Sequence, residues 1–444
     1  MRVLVLARAA RLAVACRAGP GSRGLVPDRG RREDPQTLYT PACLVLIAAA
    51  LAGCATDGGY ESRPAPVPHE AQPPSPAPSA GKVPPTPSPA APVTLPARTP
   101  YPGNLEGQAR VGRLLPRQIA DRAGWATDIF AAFAALRIPP TPENLCAAVS
   151  VIAQESSFQA DPPVPGLARI VWKELERRRE KYAIPQLVLD LAVRKSSPDG
   201  STYKARIDAL RTEKQMNTLY DDMISELPGG KTLFAGYNPV RTGGPMQVSV
   251  DFAEEHLRNR PYPYPRQGSV RDEVFTRRGG VYFGVAILLD YPTSYSQMIY
   301  RFADFNAGRY SSRNAAFQNA AAGLGGQRLT LDGDLLRYKD GRPAGESSDT
   351  LRALLALGPR LQLSAAEIER DLKLEKSFAF EQSTLYRRLF TTADATRQEN
   401  WPRELLPRIE LKSPKITRQL TTEWFARRVD DRYRSCLERS KDES

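Results

Sequence analysis

Histidine is nearly absent from this chain: its 444 residues include only two, His69 and His256. A histidine-based zinc site or a Ser–His–Asp triad would have to use one of them. His69 lies in a proline-rich stretch and His256 in the acidic run Asp251–His256, so neither has suitable neighbours in the sequence. The scarcity favours carboxylate chemistry over metal or triad chemistry, and we expect no metal or other cofactor.

Long apolar segments are also scarce near the N-terminus, where the run Leu44–Ala50 is too short to span a membrane comfortably. It leads into Leu51-Ala52-Gly53-Cys54, which resembles a bacterial lipoprotein signal cleaved before a lipidated cysteine. An ordinary signal peptide with an incidental cysteine is the alternative. Ala55 follows Cys54 in place of the Asp that marks inner-membrane retention in such signals. The expected location is therefore the outer membrane of a Gram-negative bacterium, facing the periplasm.

Basic residues outnumber acidic ones, with 62 Lys and Arg against 49 Asp and Glu, so the formal net charge is +13. Such a surface suits an anionic partner, for example lipid headgroups or the carboxylates of cell-wall peptides. The sequence has no motif that combines Arg or Lys with aromatic residues in the manner of nucleic-acid-binding modules. We therefore expect no nucleic-acid partner.

The stretch around which the chain is organised is a predicted helix that ends at Glu155. Thr141 is placed to cap it and Pro142 suits its first position. Apolar residues at helical spacing predict one apolar face, formed by Leu145, Ala148, Val149 and Ile152. Glu155 continues that face, so we expect burial to raise its pKa, as a general acid near neutral pH requires. A Glu that turns out to solvent at the helix end is the alternative.

Two further motifs follow in order, Gly244-Pro245-Met246-Gln247 and the stretch from Tyr300 to Gly308. Glu-Ser, then Gly-x-Met-Gln, then aromatic-Asn-Ala-Gly resembles the lytic murein transglycosylases and goose-type lysozymes. The full chain also resembles a family of bacterial lipoproteins of unknown function. The enzyme resemblance is confined to three short motifs between about residues 145 and 308.

The resemblance implies roles for the motif residues. Glu155 would protonate the glycosidic oxygen and then act as base toward the sugar's C6 hydroxyl, leaving a 1,6-anhydro ring. Gln247 would position the saccharide, and Asn306 would hydrogen-bond its N-acetyl or hydroxyl groups. The residues implied to bind the substrate are Met246, Gln247, Tyr300, Phe305, Asn306 and Gly308.

Three positions depart from the family pattern. Phe305 replaces the usual tyrosine, so Tyr300 or Tyr310 would have to supply the missing hydroxyl. Pro245 replaces the usual leucine. Asp304 offers either a second carboxylate, which would make a hydrolase possible, or a structural carboxylate near a helix end.

The expected fold is mainly α: a lysozyme-like helical domain with a large helical insertion, a small β-hairpin and a helical C-terminal extension. Residues 1–53 are a signal region, in which the Arg-rich start is either misassigned or an extended n-region. A linker rich in Pro, Ala and Ser covers 54–103, and its composition predicts extended polyproline II. The domain covers 104–325 with an insertion at about 163–240, and 326–444 form the C-terminal region.

Local patterns predict further elements. Residues 167–195 and 205–227 each read as one helix, residues 281–291 as a buried helix, and Ser364 with Glu367 as a capping box. Residues 329–336 predict a hairpin that turns at Asp332-Gly333. Cys146 and Cys436 could pair in an oxidising periplasm, but a buried free thiol at Cys146 is the favoured interpretation.

The sequence thus predicts a lipid-anchored protein that binds peptidoglycan glycan strands. The favoured function is cleavage of the MurNAc–GlcNAc β-1,4 bond, of the lytic transglycosylase type, with Glu155 as general acid and base. A non-catalytic peptidoglycan-binding or scaffold lipoprotein with a lysozyme-like fold is the alternative, and a helical lipoprotein unrelated to either also remains open.

Overall fold

The computed structural model describes residues 102–441 apart from 267, 340–341, 345, 397–399 and 412–418. The predicted signal region 1–53, the lipidation site Cys54 and nearly all of the predicted linker lie outside the described residues. Within the described ranges no helix combines the length and apolarity needed to cross a membrane. The fold is mainly helical with short two-stranded sheets, which confirms the predicted class.

The first three helices place Glu155 at the end of a buried helix. They are α1 (Asn104–Leu114), α2 (Arg122–Leu136) and α3 (Pro142–Glu155). The Thr141 hydroxyl accepts a hydrogen bond from the Asn144 backbone N–H at 3.3 Å, which confirms the predicted cap. The prediction of a single apolar face on α3 is too narrow, because every residue from 145 to 152 is buried. A helix surrounded on all sides lies inside a hydrophobic core.

The predicted insertion has a hydrophobic cluster of its own, which runs from Leu167 to Val240 and adds Phe275. Both helices predicted here are split in two. Pro185 precedes a new helix, and Thr212 starts another with a capping box to Gln215. These are local start signals that outweigh the continuing helical pattern. The helices are α4 (Leu167–Lys181), α5 (Gln186–Arg194), α6 (Tyr203–Asp208), α7 (Glu213–Ser225) and α8 (Gly230–Phe234).

A small hairpin and a buried helix follow the insertion. Strand β1 (Thr242–Gly243) pairs antiparallel with β2 (Val248–Ser249). The next helices are α9 (Val250–Asn259), α10 (Val270–Val274), α11 (Arg277–Leu289) and α12 (Met298–Ala307). Helix α11 is the buried helix predicted from residues 281–291, and it contacts α2, α3, β2 and α12. Helix α11 therefore lies at the centre of the first hydrophobic core, the cluster of buried residues that includes α2, α3 and α11.

The region after residue 310 builds a third cluster. Its helices are α13 (Ser311–Gly325), α14 (Asp349–Leu361), α15 (Ala365–Leu372), α16 (Ala379–Gln382) and α17 (Thr384–Asp394). The capping box of Ser364 and Glu367 is present. The hairpin predicted at 329–336 is wrong, because the pair that forms is β3 (Tyr338–Lys339) with β4 (Arg342–Pro343).

Side chains hold the segment where that hairpin was predicted. The Gln318 side chain bonds to the Asp332 carboxylate at 2.8 Å and to the Gly333 N–H at 2.9 Å. The buried Glu375 carboxylate accepts from the N–H groups of residues 335 and 336. These side chains take backbone groups that a strand ladder would have used.

The last helix, α18 (Thr422–Lys441), follows the pair β5 (Glu410–Leu411) and β6 (Leu420–Thr421). It contacts α1, α3 and α12, and residues 425–436 contribute to the first core. The favoured free thiol at Cys146 is wrong, because Cys146 forms a disulfide with Cys436. Although the sequence assigns α18 to a C-terminal region that starts at 326, this helix packs with the first core.

Candidate functional site

Glu155 is the last residue of α3 and its side chain is partly buried. The chain turns sharply beyond it, because Ser157 and Phe158 take positive φ values of 50° and 61°. Residues other than glycine rarely adopt this conformation, and two in succession require support from the surrounding structure. Phe158 has that support, since its ring packs edge-on against Trp125 with 5.4 Å between the centroids. The turn fixes the direction of the chain directly after the candidate acid.

The Gly244–Gln247 motif forms the turn of the β1–β2 hairpin. Gly244 has a φ of 72°, and a Cβ there would lie 2.1 Å from the Val274 carbonyl oxygen. Only glycine fits such a position. Met246 is fully buried and packs where α11 has Gly284, so its side chain anchors the hairpin on that helix and is not exposed to solvent.

Gln247 is the partly exposed member of this motif. Its side chain stays close to the hairpin: Oε1 accepts from the Thr242 hydroxyl at 3.3 Å, and Nε2 donates to the Gly244 carbonyl at 3.4 Å. Both bonds are long, so they hold the amide weakly. A ligand that offers better geometry can therefore compete for the same amide.

The third motif lies at the end of α12. Asn306 is partly buried, and its Oδ1 accepts a hydrogen bond from the Thr422 hydroxyl at 2.9 Å. Gly308 has a φ of 106°, a conformation that favours glycine, so the chain turns directly after α12. Phe305 and Tyr300 are partly buried, and burial together with the charge of Glu404 raises the pKa of Tyr300. Tyr300 lies in the first turn of α12, whereas Phe305 and Asn306 lie in its last turn.

Asp304 is fully buried at the end of the same helix. Its carboxylate accepts from the hydroxyls of Tyr291 and Tyr295 at 3.2 and 2.7 Å, and from the N–H groups of Tyr310 and Ser312, both at 2.7 Å. Burial raises the pKa of Asp304, and the hydrogen bonds act in the opposite direction. The side chain joins the end of α12 to the start of α13 and faces no solvent.

Tyr310, offered by the sequence as a substitute for the missing tyrosine hydroxyl, is buried. Its ring lies under the Arg313 guanidinium, 4.3 Å from the ring centroid. Tyr300 keeps part of its surface exposed. Of the two tyrosines, Tyr300 is the one that a ligand can reach in this arrangement.

The three motifs rest on a common support. Helix α3, strand β2 and helix α12 each contact α11, and α18 contacts both α3 and α12. The sequence predicts a helical C-terminal region but gives no signal that Thr422 lies at this site, because Thr422 is 116 positions from Asn306 and no local pattern connects them. Among the residues that the structure describes, no group of three or more His, Cys, Asp or Glu side chains is arranged to hold a metal ion.

Comparison with known proteins gives a family without an assigned activity. The profile of a family described as "Protein of unknown function (DUF1615)" matches residues 118–439. The chain is similar to the Escherichia coli (strain K12) protein described as "Uncharacterized protein YaiW", with 49% identity over 327 residues, or 74% of this chain and 88% of the relative. No solved structure matches. The family match includes nearly all of α18, while the likeness to lytic transglycosylases rests on the three motifs alone.

Proposed function

We propose that this chain, which belongs to the DUF1615 family of proteins of unknown function, is a peptidoglycan-cleaving lipoprotein with lytic transglycosylase chemistry. The observation that carries the proposal is the shared support of the three motifs. The helix that ends at Glu155, the hairpin that carries Gln247 and the helix that carries Asn306 all contact α11. Motifs that are weak singly and distant in sequence thus belong to one structural unit.

The reaction is cleavage of the MurNAc–GlcNAc β-1,4 bond. Glu155 donates its proton to the leaving glycosidic oxygen as the bond to C1 breaks. The resulting carboxylate then takes the proton of the sugar's own C6 hydroxyl, whose oxygen bonds to C1 and closes a 1,6-anhydro ring. The carboxyl ends as it began and no water is consumed.

The burial of Asp304 supports this route over hydrolysis. A hydrolase that uses a second carboxylate needs it beside the sugar, where it can activate water or stabilise the cationic centre. Asp304 is the second carboxylate that the sequence offers, and four donors hold it inside the protein. A mechanism in which Glu155 serves as both acid and base needs no such partner.

Substrate binding in this proposal uses the partly exposed side chains of the second and third motifs. Gln247 and Asn306 hydrogen-bond the saccharide, while Tyr300 and Phe305 contact its rings. Gly308 permits the turn that ends α12 two residues after Asn306. Met246 contributes indirectly, by holding the hairpin on α11.

The proposed location follows from the N-terminal sequence. Lipid on Cys54 anchors the protein in the outer membrane, and the linker lets the folded part reach glycan strands in the periplasm. The composition of the linker predicts polyproline II, and at about 3.1 Å per residue some forty residues of it would extend on the order of 120 Å. Replacing Cys54 with serine should release the protein from the membrane fraction and remove the lipid mass.

A non-catalytic peptidoglycan-binding protein is the second candidate, and one observation favours it. Both amides assigned to the substrate already have partners inside the protein: Gln247 within its hairpin and Asn306 with Thr422. Such contacts also occur in a fold that keeps its shape after losing activity. Activity measurements separate the two candidates.

The test uses the full chain, purified in detergent and incubated with peptidoglycan sacculi, with the products analysed by mass spectrometry. The wild type should release muropeptides with 1,6-anhydro ends, which are one water lighter than hydrolysed ends. Glu155→Gln keeps the shape and removes the proton, so the rate should fall by roughly 10²–10⁴. Glu143→Gln is the matched control, because Glu143 is an exposed residue in the first turn of the same helix.

Two other outcomes would overturn the proposal. Products with reducing ends would identify a lysozyme-type hydrolase. Sedimentation with sacculi, without products from any preparation, would identify the binding protein.

A further inference from the structure

The hydrogen bond between Thr422 and Asn306 joins the last helix of the chain to the candidate site. We propose that Thr422 is a positioning residue that orients the Asn306 amide and thereby makes the site selective for N-acetylated sugars. The inference rests on the proposed function for its substrate class. It adds to the three motifs a residue that they do not contain, Thr422, and a cause for the orientation of the Asn306 amide.

Thr422 is held rigidly in place. It is fully buried, and its backbone N–H donates to the Ile409 carbonyl at 3.0 Å. Its neighbour Thr421 pairs with Glu410 in the β5–β6 sheet and accepts from the Trp424 N–H at 3.1 Å. The hydroxyl that reaches Asn306 therefore projects from a fixed backbone.

The backbone of Asn306 is equally well held. The Gly308 N–H donates to the Asp304 carbonyl at 2.7 Å, and the Asp304 carboxylate binds the N–H groups of Tyr310 and Ser312. With the end of α12 fixed, the orientation of the Asn306 amide is the remaining freedom. A side-chain amide accepts at one end and donates at the other, so a single bond can decide which end is presented.

Thr422 decides it by donating to Oδ1, which directs Nδ2 away from α18. Among the residues that the structure describes, Thr422 supplies the hydrogen bond of this amide, so the Nδ2 protons remain for a ligand. Donors of this kind match the carbonyl oxygen of an acetamido group. A deacetylated sugar carries an ammonium there, which offers only donors and cannot accept.

The chemical consequence is selectivity between two forms of one glycan. With Thr422 in place, the Asn306 amide strengthens the binding of a sugar with an acetamido group and weakens the binding of a sugar with an ammonium group. Without the hydroxyl the amide can rotate and present either end, so the preference should shrink. A purely structural Thr422 would affect stability alone and leave the preference unchanged.

The experiment compares Thr422→Val, which has nearly the same shape and lacks the hydroxyl, with Thr422→Ser, which restores it. Thr218→Val is the matched control, since Thr218 is an exposed helical threonine whose hydroxyl bonds to a backbone carbonyl. Binding of an N-acetylglucosamine oligomer and of its deacetylated counterpart is measured by calorimetry on the full chain. Sacculus cleavage is measured in parallel.

We expect Thr422→Val to weaken binding of the acetylated oligomer about 3- to 10-fold, which corresponds to one hydrogen bond, without weakening the deacetylated one. Thr422→Ser and Thr218→Val should match the wild type. Folded Thr422→Val protein with the wild-type preference overturns the inference, even when the wild type cleaves sacculi. A wild type that binds with this selectivity and does not cleave supports the inference and refutes the proposed enzyme. A wild type that neither binds nor cleaves overturns both.

Discussion

Cys146 and Cys436 are joined by a disulfide although 290 positions separate them in the chain. Cys146 lies in the second turn of α3, the helix that ends at Glu155, and Cys436 lies in the last third of α18. Both are fully buried. The bond fixes the last helix of the chain against the helix that carries the candidate acid. Together with the bond between Thr422 and Asn306, it makes α18 a part of the structure that supports the site.

Removing this disulfide should destabilise the fold. A cross-link over so long a loop restricts the unfolded chain, so Cys146→Ala with Cys436→Ala should lower the free energy of unfolding by about 2–5 kcal/mol. Urea denaturation of the full chain measures the change. A reductant should lower the stability of the wild type and leave that of the double variant unaltered. Equal stability of the two proteins without reductant would contradict this role.

Asp304→Asn should reduce stability, because the new amide would face four hydrogen-bond donors with a single acceptor oxygen. We expect a loss of about 2–4 kcal/mol at pH 7, measured by chemical denaturation. Asp349→Asn is the control, since Asp349 is exposed and should change stability by at most about 0.5 kcal/mol. If the two variants were equally stable, the hydrogen bonds of Asp304 would not contribute to the stability of the fold.

Gly284→Ala should displace the hairpin from α11. A Cβ at this position would lie 2.3 Å from the Met246 sulfur and 2.6 Å from its Cβ, so the flexible end of Met246 cannot relieve the clash alone. Overpacking should cost about 1–3 kcal/mol, offset by up to about 1 kcal/mol from the better helix propensity of alanine. Adding Met246→Ala should remove the contacts with the sulfur and Cγ and leave the contact with Cβ, so a double-mutant cycle should show partial coupling. Strictly additive effects would argue against this packing.

The stability of the protein should fall in mild acid because of His256. Burial, with the nearby charges of Arg260 and Arg309, lowers the pKa of His256 to about 4 from 6.5, and the ring pairs with the Tyr282 hydroxyl at 3.1 Å. The unfolded chain therefore takes up the proton first. Above pH 6.5 the imidazole is neutral in both the folded and the unfolded chain, and the free energy of unfolding is unaffected by it. As the pH falls from 6.5 toward 4, the unfolded chain binds the proton and the folded protein does not, so the free energy of unfolding decreases.

Allowing for partial exposure, this loss should reach about 2–3 kcal/mol. Unfolding measured across that pH range should show the decline in the wild type and in His69→Gln. In His256→Gln the decline should be smaller by this amount. An identical pH dependence in all three proteins would show that the imidazole contributes nothing.

The elements whose causes lie within a few positions of the chain can be predicted from the amino-acid sequence alone. The caps at Thr141 and Ser364 were predicted because a cap depends on residues three positions away. Helix α11 was predicted because continuous apolarity identifies a buried helix. The breaks at Pro185 and Thr212 also had local signals, a proline and a capping box, which the longer helical pattern concealed.

The features that the sequence does not predict depend on contacts between residues that are distant in the chain. The segment 329–336 forms no hairpin because Gln318 and Glu375 take its backbone groups. Met246 packs against α11 and does not face solvent, because Gly284 has no side chain and leaves room for it. Asp304 is a buried acceptor because residues as far as 13 positions before it and 8 positions after it donate to it. Thr422 reaches Asn306 only because α18 folds back across the chain, and no local sequence pattern encodes a contact of that range.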